Sequence, residues 1–260
     1  MFTNVSYRFS KYNRVKNITI YVPDDASEEK RYPVLYINDG QNAFFDENSY
    51  MGVSWGFYDY VKEHGDCCIM VAIDCVFDEI GRMDEYGPWK VKRSIRKKLH
   101  IEEKTGGQGD DYVKWIINEL KPFIDDNYPT TKHDCAMVGS SMGGVITAYA
   151  CFAYPKVFKK GAALSTAFFI YPHEFKRLLK RADLSSSSFY FDCGDEEGHE
   201  DSQMSQIYIE SQDAIRAQLK NKEGNFEYHF FTHTTHNEEA WRKRVPLFMH
   251  FLFEEDHHHV

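Results

Sequence analysis

Between residues 134 and 150 an apolar run, Cys135 to Val138, meets Gly139-Ser140-Ser141-Met142-Gly143 and then a stretch of small residues. Few folds place strand, sharp turn and helix in such immediate succession. A serine at the tip of that turn sits in strained backbone geometry, so the residues two before and two after it must lack a Cβ. Gly139 and Gly143 meet that demand around Ser141. Gly144 and Ala148 let the following helix lie close to a sheet, and the helix N-terminus directs amide dipoles at the serine. The G-x-S-x-G spacing in this setting points to a nucleophile elbow. A plain glycine-rich turn would share the pattern, so the partners elsewhere in the chain decide.

The rest of the chain alternates strand and helix signals. Residues 5–22 carry patches of alternation (Val15, Ile18, Ile20, Val22) that end at Pro23-Asp24-Asp25, and predict an antiparallel hairpin. Tyr32 to Ile37 and Cys67 to Asp74 are continuous apolar runs, the mark of central parallel strands. Helical spacing marks Trp55 to Glu63, the stretch from Tyr112 to Phe123 with Asp110 or Asp111 as its cap, Glu174 to Ala182, Gln203 to Lys220, and Glu238 to Phe253. Further strands are expected at Val157 to Ser165, Phe189 to Cys193 and Phe226 to Phe231. This order predicts an α/β fold around a mostly parallel sheet, with the hairpin at one end. With 260 residues and no linker-like stretch, the chain reads as a single domain, 1–260.

From Phe77 to Gly109 the pattern breaks. A loop of that length in a domain this size is usually functional or disordered, and its Tyr86, Pro88 and Trp89 favour an ordered, lid-like insertion over a floppy linker. Its Thr105-Gly-Gly-Gln-Gly109 lacks the Gly-Lys-Ser/Thr of a phosphate loop and follows no strand directly. Its basic run, Lys90 to Lys98, stands out because the chain carries a formal charge of −9. That net charge disfavours nucleic acid and anionic membranes as partners. The first residues hold no basic segment followed by an apolar core, and no apolar run reaches the length of a membrane span. Six cysteines, mostly in apolar stretches, show no paired zinc spacing and fit reduced thiols in a cytoplasmic protein.

A serine hydroxyl needs a base, and the base needs a group to orient it. In sheets of this kind the partners follow on strand-end loops in the order serine, acid, histidine. After strand 189–193 comes Gly194-Asp195-Glu196-Glu197-Gly198, where three carboxylates compete. After strand 226–231 comes Thr232-His233-Thr234-Thr235-His236-Asn237, where His233 and His236 compete as base. Histidines 229, 233 and 236 lack a fixed common face, so no metal is expected. His257-His258-His259 reads as a tail.

Tyr32 to Asn42, Gly139 to Gly144, Asp192 to Glu197 and His236 to Arg242 together resemble the esterase family of α/β hydrolases that includes esterase D and enterochelin esterases. The likeness runs from about residue 10 to 253. It implies an α/β-hydrolase fold with helices on both sheet faces, and a serine esterase that needs no cofactor. Ser141 then falls on the nucleophile, Glu197 on the acid and His236 on the base. The Asp39-Gly40-Gln41 loop matches the family's oxyanion loop, so the backbone N–H groups of Gln41 and Met142 are expected to face the developing oxyanion. Trp55, Tyr86 and Trp89 are candidates for lining the substrate pocket. The expected partner is a small-molecule ester. Acetyl or feruloyl carbohydrate esters are the alternative substrates, and a silent binding protein on the same fold is the rival from outside enzymes.

Overall fold

The apolar runs become the strands of one eight-stranded sheet in the computed structural model, which describes residues 1–76 and 78–254. Strands β1 (Phe2–Phe9) and β2 (Arg14–Tyr21) form the expected antiparallel hairpin. Then come β3 (Tyr32–Asn38), α1 (Phe57–His64), β4 (Ile69–Ile73), α2 (Glu79–Tyr86) and α3 (Arg93–Lys98). Next are α4 (Gly109–Trp115), α5 (Lys121–Asn127), β5 (Thr130–Ser140), α6 (Met142–Ala153), β6 (Lys160–Leu164) and α7 (Pro172–Arg181). The chain closes with β7 (Ser188–Glu196), α8 (Ser202–Leu219), β8 (Asn225–Thr235), α9 (Glu238–Arg242) and α10 (Val245–Phe253). Strand order is β1-β2-β4-β3-β5-β6-β7-β8. From β4 to β8 every pairing is parallel, and β2 joins β4 antiparallel.

Successive side chains of a strand point to opposite faces. On β3, Val34 and Tyr36 enter one hydrophobic core while Leu35 and Ile37 enter the other. Both faces are covered, which is why this strand reads as an unbroken apolar run rather than an alternation. The first core packs α4 to α8 against the sheet, and the second packs α1 and α10. Among the described residues no helix is long and apolar enough to cross a membrane.

Several boundaries differ from the sequence expectation, and two of the differences have a plain physical reason. The helix after the insertion starts at Gly109 with Gln108 at its cap, so Asp110 and Asp111 lie in its first turn instead of capping it. Asp110 takes the Tyr149 hydroxyl at 2.9 Å, and Asp111 takes the Tyr12 hydroxyl at 2.8 Å. The final helix is two helices, because Pro246 sits in the first turn of α10, where it lacks an N–H to continue an earlier helix.

The described part of the expected insertion, 78–109, holds α2 and α3. Asp78 caps α2 by accepting the Gly81 N–H, and Asp84 accepts the Gly106 N–H at 2.7 Å and the Thr105 hydroxyl at 2.9 Å. Glu85, fully buried, pairs with the buried Lys16 and with Arg14 on β2. Charges taken out of water are tolerated only when paired, so α2 is bound to the sheet beneath it. Phe77 and His257-His258-His259 lie outside the described residues.

Candidate active site

Ser141 occupies φ 56°, ψ −118°, between the end of β5 and the first turn of α6. For a non-glycine residue this is a strained conformation, and the surroundings enforce it. The Ser141 N–H donates to the Leu164 carbonyl at 2.9 Å, and its carbonyl accepts from Val145 at 3.1 Å. A Cβ on Gly139 would stand 2.3 Å from the Gly143 carbonyl oxygen, and one on Gly144 would stand 2.3 Å from Thr166 Oγ1. The glycine spacing in the sequence is thus a steric requirement of this turn.

At the end of β7 the three carboxylates take different places. Asp195 accepts the Thr234 N–H at 3.1 Å, Glu196 is exposed, and Glu197 is only 3% exposed. Glu197 Oε2 lies 2.7 Å from His236 Nδ1. Its other oxygen, Oε1, accepts the Gly194 N–H at 2.6 Å and the Ser165 hydroxyl at 2.7 Å. Burial alone would raise the Glu197 pKa, but the hydrogen bonds from His236, Ser165 and Gly194 outweigh it and hold the carboxyl below its ordinary value. His233 points into solvent, 3.8 Å from Glu196, and His229 lies within β8, stacked between Tyr190 and Phe231. Of these histidines, His236 is the one oriented by a buried carboxylate.

Tyr208, on α8, is a residue that sequence reading missed. Its ring lies 5.2 Å from the His236 ring, and burial raises the pKa of its hydroxyl while the nearby Ser141 side chain opposes the rise. One buried side chain thereby lies beside both serine and histidine. Trp241 contacts the imidazole edge-on, at 5.0 Å.

The loop after β3 is fixed by long-range contacts. Asp39 adopts a left-handed conformation, φ 53°, and its N–H donates to the Tyr86 hydroxyl at 2.8 Å. Its carboxylate takes both Nε and Nη2 of Arg82 at 2.9 Å, a bidentate pair. Arg82 also reaches the Ser140 carbonyl at 3.4 Å, tying α2 to the elbow. Gln41 lies in the 3₁₀ turn Gly40–Asn42, and its side chain accepts the Cys75 N–H at 3.1 Å. Met142 is the first residue of α6. Both backbone N–H groups therefore belong to first turns, whose donors have no partner inside the helix. Glu238, at the start of α9, has its carboxyl pKa raised by burial and by the nearby Asp39 charge.

Of the three aromatics expected at a pocket, Trp55 and Tyr86 offer a ligand no surface. Trp55 is 2% exposed and packs on Phe57 and Trp241, while Tyr86 is fully buried. Trp89 keeps part of its surface and packs edge-on against Tyr149, Tyr171 and Phe175. Among the described residues, Asp195, Glu196 and His233 bring ligand-type atoms within 4.8 Å of one another. Two of the three are exposed surface groups, and the set differs from the histidine trio considered in the sequence.

The sequence profile described as Putative esterase matches residues 10–249. The uncharacterized protein YbbA of Bacillus subtilis (strain 168) is 23% identical over 215 residues, 80% of this chain and 79% of YbbA. Among solved structures, the BES protein from Bacillus cereus superposes with a TM-score of 0.74 at 15% identity, covering 97% of this chain and 94% of BES. The enterobactin esterase FES from Shigella flexneri gives 0.71 at 16% identity, covering 97% of this chain and 58% of FES. The two superpositions show that this chain shares its fold with those proteins.

Proposed function

The chain belongs to the Putative esterase family, and on that footing we propose that it is a serine carboxylic-ester hydrolase acting through an acyl-enzyme on small acyl esters. The observation that carries the reading is the buried Glu197–His236 pair, 2.7 Å apart, with Tyr208 packed beside His236 and close to a serine on a strained elbow. Glu197 accepts a hydrogen bond from the Nδ1–H, which leaves Nε2 of His236 as the basic nitrogen. That nitrogen takes the Ser141 proton as Oγ attacks the ester carbonyl. The oxyanion is met by the Gln41 and Met142 N–H groups. His236 then gives its proton to the departing alkoxide, and water repeats the sequence on the acyl-enzyme. Side chains supply each of these steps, so the reading calls for no cofactor. The six unpaired cysteines support a reducing, cytoplasmic setting.

The test is turnover of p-nitrophenyl acetate together with stoichiometric labelling of Ser141 by a fluorophosphonate. Ser141→Ala should abolish both. Folded protein with neither turnover nor label would favour a silent binding member of the fold instead. A panel of acyl lengths, acetylated sugars and feruloyl esters then separates small-ester from carbohydrate-ester specificity.

A further inference from the structure

Beneath Glu197 lies a buried polar chain that the catalytic reading above does not use. Ser165, just past the end of β6, is fully buried and holds a left-handed backbone, φ 46°. Its hydroxyl oxygen lies 3.0 Å from Trp241 Nε1, 3.2 Å from Arg244 Nη1 and 2.7 Å from Glu197 Oε1. Indole and guanidinium N–H groups can only donate. They occupy both lone pairs of the hydroxyl, so its single proton has one direction left, toward Glu197. Arg244 is in turn held by Asp192, 2.5 Å away, which also accepts the Tyr190 hydroxyl at 3.0 Å and the Ser165 N–H at 3.2 Å.

We propose that Ser165 is a positioning residue: locked by Trp241 and Arg244, its hydroxyl fixes Glu197 Oε1 so that Oε2 is presented to His236 Nδ1. The inference rests on the reading of Ser141, His236 and Glu197 as a triad. It gives the strained, buried Ser165 a purpose that packing does not. Alanine would fill nearly the same space, yet it would leave Glu197 with only the Gly194 N–H on Oε1, the Trp241 indole N–H without an acceptor and Arg244 Nη1 with Asp192 alone.

The test uses Ser165→Ala and Ser165→Gly on the full-length protein, with Glu197→Gln as control. Glycine adopts φ 46° without strain, so it removes the hydroxyl while relieving the backbone. For p-nitrophenyl acetate, kcat should fall about 10- to 100-fold in both variants, the range for removing a group that orients a functional ligand. KM should hold within about twofold, because Ser165 touches no substrate. Trp241→Phe, which keeps a ring against His236 but removes one lock, should lose less. Near-parental kcat in both Ser165 variants, or a loss that appears in KM instead of kcat, with Glu197→Gln crippled, would overturn the proposal and leave the triad intact. Full activity in Glu197→Gln would instead remove the triad reading, and this one with it. Failure of both Ser165 variants to fold beside a folded Glu197→Gln would make the role structural and overturn the proposal.

Discussion

Replacing Glu197 by glutamine separates charge and hydrogen-bond polarity from shape. The side chain is 3% exposed and all of its partners are donors: His236 on one oxygen, Gly194 and Ser165 on the other. Glutamine offers one acceptor and one donor to this all-donor cage. If its carbonyl faces His236, its amino group opposes the Gly194 N–H and the Ser165 proton, which Trp241 and Arg244 prevent from turning away. If the amide flips, its amino group opposes Nδ1 and imposes the tautomer with Nε2 protonated, which cannot accept the serine proton. Either placement is penalised. Loss of the orienting acid costs about 10⁴ in turnover in the serine-protease template, which corresponds to about 5.4 kcal/mol at 1.36 kcal/mol per factor of ten. The buried donor–donor conflict should cost about 1–3 kcal/mol of stability, and so lower Tm by about 2–12 °C for a chain of this size. Steady-state hydrolysis of p-nitrophenyl acetate, beside thermal unfolding, reads both numbers. A folded variant with kcat within about tenfold of the parent would refute the assignment of Glu197 as the orienting acid. So would a comparable collapse in Asp195→Asn or Glu196→Gln.

Gly139→Ala should destabilise the elbow by about 3 kcal/mol or more, because its Cβ would meet the Gly143 carbonyl at 2.3 Å; unfolding and fluorophosphonate labelling that match the parent would refute the steric account. Burial raises the Asp74 pKa to about 6, with Asp39 adding to the effect and Lys16 opposing it. The folded state therefore holds that proton more tightly than the unfolded one, and stability is lost as pH rises from about 4 through about 6. Asp74→Asn should accordingly raise Tm relative to the parent at pH 8 and much less at pH 4; an equal difference at both would contradict it. Trp89→Ala should cost about 2–3 kcal/mol, since its ring is only partly buried. It should also change the ratio of short to bulky aromatic ester hydrolysis while Ser141 remains reactive to a small fluorophosphonate. An unaltered ester ratio would leave Trp89 as packing alone.

The strands and the elbow were legible because local chemistry dictates them. Apolar runs buried on two faces have little alternative to central strands, and Gly139 and Gly143 leave a steric signature that needs no distant partner. The final helix was read as one because its apolar periodicity outweighed Pro246, although a proline there cannot continue a helix. Arg82 and Asp39 lie 43 residues apart, and nothing near either marks their pairing. Tyr208 shares its buried helix face with Gln212, Ile215 and Leu219, so it reads as one more core position. Trp55 and Tyr86 show the converse, aromatics near the site in sequence that the sheet claims for its core.

The choice among Asp195, Glu196 and Glu197 turns on a feature with no local signal. Gly194 pairs with Phe231, but Glu196 pairs with Thr235, so β8 advances four residues while β7 advances two. The excess sits at 232–234, where His233 takes a left-handed φ of 53° and the strand bulges. Without that bulge Glu197 would stand level with residue 234. With it, Glu197 stands beside His236, one step beyond the Glu196–Thr235 pair. A resemblance to a family can carry the spacing from Gly194 to the acid, but the physical reason lies on the opposite strand. The same two-residue slip sends His233 to solvent and brings His236 to the carboxylate, so the proposed acid and base are brought together by one irregularity rather than two.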